Sequence, residues 1–236
     1  MARYAADLHI HSCLSPCGDE DMTPNNIVGM AAIKELEMIA VADHNTALNL
    51  PAVATVCERF GMVHIPALEV QTVEDVHVLC YLPTVDAALD LGALVYDNLP
   101  PLPNNADIFG PQVIRDEADA ETGQLEKLLL QGTALDLGEL DEAVRKRDGV
   151  CVPAHINREA NSILYVLGFM PALPQYTAVE IGRMARVPDM DLSPYHILYS
   201  SDAHYLEDIF ERDNFIGLEE PTPKALIEKL RTPKEG

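Results

Sequence analysis

Apolar residues along the chain fall into short runs, most of them separated by stretches with helical spacing. The first run, ARYAADLHIH, leads to Thr23 and Pro24, an N-cap and first helical residue ahead of NNIVGMAAIKEL. EMIAVADHN then reads as a short strand, and PAVATVCERF as a helix closed by Gly61. MVHIPALEV and DVHVLCYL follow, separated by QTVED, and later GVCVPAHIN, TAVEIGRM and HILYSSDAH restore the strand character.

Between Pro83 and Gly149 the pattern loosens. VDAALDLGALVYDN is helical in spacing, LPPLPNNADIFGPQ is a Pro- and Asn-rich loop, and GELDEAVRKRDG is a helix with a Gly stop. QVIRDE and QLEKLLLQ, on either side of ADAETG, predict a hairpin. The expected organisation is therefore a main domain over residues 1–82 and 150–236, with 83–149 inserted as a small, substrate-selecting cap. Seven strand-like runs with crossovers predict α/β architecture with a largely parallel sheet. Six of them carry His, Asp or Glu at or just beyond their C-terminal ends, where barrels of alternating strands and helices gather chemistry, so the expectation is a closed TIM-like barrel.

Composition narrows the class. At 236 residues and 48% apolar content the chain can bury a sizeable core. No apolar run approaches the roughly 18 residues of a membrane span, and the start MARYAADL lacks a signal-peptide pattern. With five cysteines, an odd number, the expected setting is reducing and cytoplasmic. A net charge of −22 with no basic stripe argues for a small anionic partner and against an extended nucleic acid or a membrane. Oligomeric state is not legible.

Two histidines spaced as His9 and His11 project from one face of a strand. Such a pair is either a surface accident or half of a metal site. The other runs decide between these. Asp43-His44 lies in VADHN, Glu69 in PALEV, His77 in DVHVL, His155 in CVPAHIN, and Asp202 and His204 in SSDAH. Any one of these has a bland reading as a hydrogen-bonded structural residue, but the same coincidence at six strand ends does not. Imidazole with carboxylate suits zinc, manganese or iron, and a bridging carboxylate lets ions sit close together. His64 and His196 lie at the entry side of their runs and read as structural. Cys13 and Cys17 flank the first loop, but no second cysteine pair follows, so no thiolate centre is expected.

These motifs, DLHIHS with the following S…GD…TP, then VADHN, ALEV, HVLCYL, CVPAHI and SSDAH in order, resemble the PHP (polymerase and histidinol phosphatase) family over nearly the whole chain. The resemblance implies a distorted seven-stranded (β/α)7 barrel and a site for three divalent ions. His9, His11, Glu69 and Asp202 would hold one ion; Glu69, His77 and His155 a second; His44, His204 and an acid of the GDED loop the third. The loop departs from the family pattern by an inserted Pro16-Cys17, and counting back from the helix start selects Asp19 over Glu20 or Asp21.

The implied reaction is hydrolysis of a small phosphomonoester, a nucleotide or similar, by hydroxide activated between ions. Arg158 is the first choice for a phosphate clamp and Arg183 the second. Asp7 and Asp43, beside ligands, would orient imidazoles. Tyr96 and Phe109 in the insert could stack a base, but read better as packing residues. Two alternatives stay open: an amidohydrolase-like hydrolase of C–N bonds, which shares the opening HxH but needs a middle-strand lysine or acid, and a non-catalytic module of the kind attached to polymerases.

Overall fold

A computed structural model describes residues 1–183 and 185–234. Met184, last residue of the TAVEIGRM run, and Glu235 and Gly236 lie outside the described residues. In chain order the elements are β1 (Ala2–Ile10), α1 (Pro24–Ile33), β2 (Met38–Val41), α2 (Leu50–Phe60), β3 (Val63–His64), β4 (Ala67–Gln71), β5 (His77–Tyr81) and α3 (Val85–Asp97). There follow α4 (Ala106–Phe109), β6 (Val113–Arg115), β7 (Glu121–Gln124), α5 (Leu137–Arg145), β8 (Val150–Pro153), α6 (Ile163–Leu167), β9 (Ala178–Gly182), β10 (His196–Ser200), β11 (Phe215–Leu218) and α7 (Pro223–Arg231). The punctuation works as read: Thr23 accepts from the Asn26 amide ahead of Pro24, and Gly61 ends α2 at φ 66°.

The strands do not close into a barrel. They form four separate sheets, ordered β11-β1-β2-β3, β10-β9, β4-β5-β8 and β6-β7. Two features prevent closure. First, β5 runs antiparallel to both β4 and β8, so the parallel order is broken there and His77 opens its strand instead of ending it. Second, the ladders stop where candidate site residues leave them. Among the described residues, the only pairings between β1 and the end of β10, and between the end of β2 and β4, are the single bridges Ile10–Ala203 and His44–Glu69. Asn45, His155 and Asp202, which lie at these departures, hold φ values of 55°, 28° and 53°. Positive φ is uncommon for such residues and cannot continue a strand.

Smaller differences have local causes. MVHIPALEV is two strands, because Pro66 lacks an N–H and β3 and β4 pair in different sheets. The predicted hairpin exists, but its second strand is ETGQ, within and just after the expected turn. The strand β11, antiparallel to β1, and helix α7 complete the sheet edge that seven runs left unfilled.

Most strands are buried on both faces, which explains why their runs read as continuously apolar. One face of β2, β4 and β5 (Met38, Ala40, Ala67, Leu79, Tyr81) packs with β8 and β9 into an inner core. The opposite face (Ile39, Val41, Leu68, Val70, Val78, Cys80) packs against α1, α2, α3 and α5. By strand alternation Glu69 shares the inner face with Ala67, and His77 with Leu79 and Tyr81. In the 83–149 segment, α3 and α5 join the main core, whereas Leu99 and Leu129 pack on Leu14 of the loop after β1.

Candidate metal centre

The inner core is capped by a cluster of imidazoles and carboxylates with Glu69 at its middle. Glu69 Oε1 lies 3.1 Å from His77 Nδ1, 3.2 Å from His155 Nε2 and 3.5 Å from His9 Nε2. Its Oε2 lies 2.9 Å from His44 Nδ1 and 3.5 Å from His11 Nε2. Asp202 Oδ1 is 3.0 Å from His11 Nε2 and 3.4 Å from His9 Nε2. Among the described residues, three sets have donor atoms within 4.8 Å of one another: His9, His11 and Asp202; His44, Glu69 and His77; His11, His44 and His204.

Outer hydrogen bonds fix how the rings present themselves. His9 Nδ1 meets Glu180 Oε1 at 3.0 Å, His11 Nδ1 meets Ser15 Oγ at 3.1 Å, and His204 Nδ1 meets the Asp202 carbonyl at 2.8 Å. Ser15 Oγ donates to Asp43 at 2.7 Å, so it accepts from His11 Nδ1–H. In each case the proton is placed on Nδ1 and the Nε2 lone pair faces the cluster, the arrangement found at metal-bound histidines. The consequence for His9 and His11 is a pair of Nε2 atoms only 3.1 Å apart. Two such atoms at that distance repel unless a proton or a cation lies between them.

Electrostatics gives the same answer. Burial raises the carboxyl of Glu69, but the positive charge of His77, His9 and His44 outweighs it and holds Glu69 well below the usual range. Burial likewise disfavours charge on His44, yet Glu69 and Cys17 bring it up to about 10. His9 is raised well above an ordinary imidazole because Glu180, Asp202 and Glu69 overcome its desolvation. His11 is driven well below, by burial and then by His204 and His44. The cluster thus keeps protons where ions would sit. Glu69 Oε2, fully buried, has no aligned hydrogen-bond donor. A buried carboxylate oxygen without one costs free energy, which a divalent cation would recover. The donor set, nitrogen and oxygen at one buried end of a core, fits such an ion.

Eight of the nine expected ligands are brought together and one is not. Asp19 lies in a turn where its Oδ1 accepts the Asp21 amide at 2.9 Å, and Glu20 and Asp21 are exposed. The same loop carries Cys17, whose thiol feels the His204 and His44 imidazoles. Burial alone would raise that thiol, but the two imidazoles bring it down to about 7. Asp7 and Asp43 touch no imidazole. Asp7 accepts the Ser201 and Phe210 amides, both at 3.0 Å, tying β1 to the loop that carries Asp202. Asp43 reaches His11 only through Ser15.

Arg158 Nη1 is 2.5 Å from Asp202 Oδ2 with its side chain about half exposed. Arg183 instead pairs with Asp213 at 2.9 Å and stacks on Phe210. Tyr96 packs in the small Leu14 cluster, and Phe109 is exposed. Sequence reasoning gave no role to Glu180 or Ser15. The available signal for Glu180 was a lone carboxylate in the middle of TAVEIG, where one strand face must be buried. His64 and His196 stay outside the cluster, His196 bonding to the Thr232 carbonyl.

No protein-family model matches the chain, and no curated protein is similar to it. Solved structures with this fold do exist. The lesion-specific endonuclease Q of Pyrococcus furiosus is 18% identical, with a TM-score of 0.63 over 99% of this chain and 57% of that one. This chain therefore spans little more than half of that enzyme. A candidate metal-dependent phosphoesterase of Bifidobacterium adolescentis is 16% identical, with a TM-score of 0.62 over 94% and 95%. An amidohydrolase of Chromobacterium violaceum, solved with bound sulfate, is 18% identical, with a TM-score of 0.60 over 96% and 95%. At these identities the fold is shared.

The exclusion of extended nucleic acid falls here. Endonuclease Q, with this fold, has been solved with a 27-mer duplex bearing an abasic lesion at its active site. Net charge was the wrong guide, since a bound cation or one local arginine can meet a phosphate whatever the sum over the surface. Among the described residues no helix is long and apolar enough to cross a membrane.

Proposed function

We propose that this protein is a metal-dependent hydrolase of phosphate esters, acting on a phosphomonoester such as a nucleotide. The observation that carries the reading is Glu69 among His9, His11, His44, His77 and His155, with Arg158 beside Asp202 at the exposed side of the cluster. His9, His11, Glu69 and Asp202 would hold one ion, Glu69, His77 and His155 a second, and His44 with His204 a third; manganese, iron and zinc all suit these donors. Divalent ions, when bound, lower the pKa of water and offset the charge of the phosphate oxygens.

The chain's own residues do the rest. Glu180 and Ser15 hold the rings of His9 and His11 in the tautomer that leaves Nε2 free. The apolar inner core beneath them excludes water. Arg158 can turn from Asp202 to two phosphate oxygens at once, since its guanidinium is a planar fork. Asn45 Nδ2 donates to the Leu129 and Gln131 carbonyls, which brings the 83–149 segment against the loop after β2. That segment is therefore the part of the chain we assign to substrate selection.

The test is phosphate release by the manganese-loaded protein from nucleotides, sugar phosphates, phosphotyrosine peptides and an abasic-site duplex. His9→Ala controls for contamination. Arg158→Ala should cost about 1.5–3 kcal/mol, roughly 10–100-fold in kcat/KM, with metal content unchanged. Cleavage of the duplex with no release from small esters would move the assignment to a nuclease. Turnover of an amide but no ester would move it to an amidohydrolase.

A further inference from the structure

Resting on the metal-centre reading but not on the substrate, we infer that Asn49 is a positioning residue that couples the 83–149 segment to the ions. Strand β6 of that segment reaches a ligand through a buried chain of hydrogen bonds. The Arg115 amide donates to Asn49 Oδ1 at 2.9 Å, and Asn49 Nδ2 donates to Ser12 Oγ at 2.9 Å. Ser12 Oγ donates to Asp43 Oδ2 at 2.6 Å, Ser15 Oγ donates to Asp43 Oδ1 at 2.7 Å, and Ser15 accepts from His11 Nδ1 at 3.1 Å. Asn49, Ser12, Asp43, Ser15 and His11 are all buried. A backbone amide can only donate, so Arg115 turns the Asn49 side-chain oxygen towards itself and the NH2 towards Ser12. Asn49 is also the N-cap of α2, where an asparagine side chain ordinarily caps the helix. It makes no capping bond there and is committed to the chain instead.

Two further contacts press the same segment onto the same loops. Asn45, next to His44, donates to the Leu129 and Gln131 carbonyls at 2.7 and 3.0 Å and accepts the Gln71 amide at 3.0 Å, two residues beyond Glu69. Gly110 lies so close to the loop after β1 that a Cβ there would collide with the Pro16 carbonyl. Breaking the chain at one link leaves buried polar groups unpaired, which costs free energy, so its links stand or fall together. An ion that fixes the His11 ring therefore holds the segment in place. Coupling is reciprocal, so the docked segment strengthens ion binding by the same factor.

Hydrogen exchange of the whole protein, with zinc and after chelation, tests this. Zinc should slow exchange across β6 and β7 by at least about fivefold relative to α7, which has no part in the chain. In Asn49→Ala, with zinc still bound by native mass spectrometry, the slowing should be lost. Zinc affinity, titrated against a competing chelator, should fall by the same factor. Ser12→Ala cuts the next link and should do the same, which keeps the test decisive if Asn49→Ala does not fold. Equal exchange in β6 and β7 with and without zinc, or slowing that survives these substitutions, overturns the coupling and leaves the metal centre standing. Lower stability of the metal-free variant with unchanged zinc affinity overturns it too, and makes Asn49 merely structural. No zinc bound by the wild type overturns both readings. Phosphate release is read separately, so its failure does not touch this result.

Discussion

Two buried carboxylates, Asp43 just after β2 and Glu69 in the middle of β4, have opposite environments. Asp43 and Glu69 are each 1% exposed, so burial does not tell them apart. Asp43 is saturated with donors: the Ser12 amide at 2.7 Å, Ser12 Oγ at 2.6 Å and Ser15 Oγ at 2.7 Å. Glu69 is ringed by imidazole nitrogens, and its Oε2 has no aligned donor. Burial leaves Asp43 raised above its ordinary pKa despite its hydrogen bonds, whereas Glu69 is pulled well below by the surrounding charge. One carboxylate is complete with protein alone and holds loops together. The other needs cations, and that difference separates scaffold from site.

Removing Glu69 should break the contrast most. Glu69→Gln is expected to abolish phosphate release and to lower the number of ions bound. In wild type, chelation should lower Tm by about 5–10 °C for each ion present at a hundredfold excess over its Kd, from about 2.7 kcal/mol of linkage. In Glu69→Gln most of that gap should close. A variant that still binds its full complement would mean Glu69 is not the shared ligand. Asp43→Asn is the converse. It should cost about 3 kcal/mol of unfolding free energy in urea, since three donors lose a charged acceptor, yet leave ion stoichiometry intact. Loss of metal with unchanged stability would erase the distinction drawn between the two residues.

How far the sequence revealed this contrast follows from what each pattern encodes. Periodicity and punctuation are local, so α1, α2, α3 and α5 were readable from Thr23-Pro24, Gly61 and apolar spacing. Strand direction is not local. HVLCY reads the same whichever way it runs, and β5 runs against its neighbours, which turned an expected barrel into separate sheets. Residue type at strand ends was enough to assemble His9, His11, His44, Glu69, His77, His155, Asp202 and His204. Which oxygen of a loop turns inward depends on a tight turn. The position of Asp19 was counted along the chain, whereas the turn, held by the Gly18 amide on the Ser15 carbonyl, leaves its Oδ1 on the Asp21 amide.

Glu180 sits between the two carboxylates in character, touching no candidate ion position yet holding a ligand. Its Oε1 meets His9 Nδ1 and its Oε2 accepts the His155 amide at 2.8 Å. Glu180→Gln retains the shape and one acceptor but not the charge. Metal affinity should fall about 10–100-fold, the usual effect of losing a carboxylate behind a metal-bound histidine, with unfolding free energy of the metal-free protein nearly unchanged. Titration with a competing chelator reads the first quantity and urea denaturation the second. Equal loss in both would make Glu180 merely structural.

The last effect is the dependence of the metal's stabilisation on pH, and its sign follows from His44. In the metal-free protein this ring is raised to about 10, above its unfolded value near 6.5. A raised pKa means its charged contacts stabilise the fold fully below pH 6.5 and are progressively lost as pH rises towards 10. Metal-free protein should therefore weaken across that window. Metal binding needs the neutral ring and must displace that proton, so affinity rises with pH over the same window, by up to about tenfold per unit, or 1.4 kcal/mol, for this one group. The gap in Tm between metal-loaded and metal-free protein should widen from pH 6.5 to 9. His44→Gln should flatten this trend, whereas Asp43→Asn, which loses stability without losing ligands, should keep it. A gap that narrows with rising pH would mean that the His44–Glu69 pair does not keep a proton in the place of an ion.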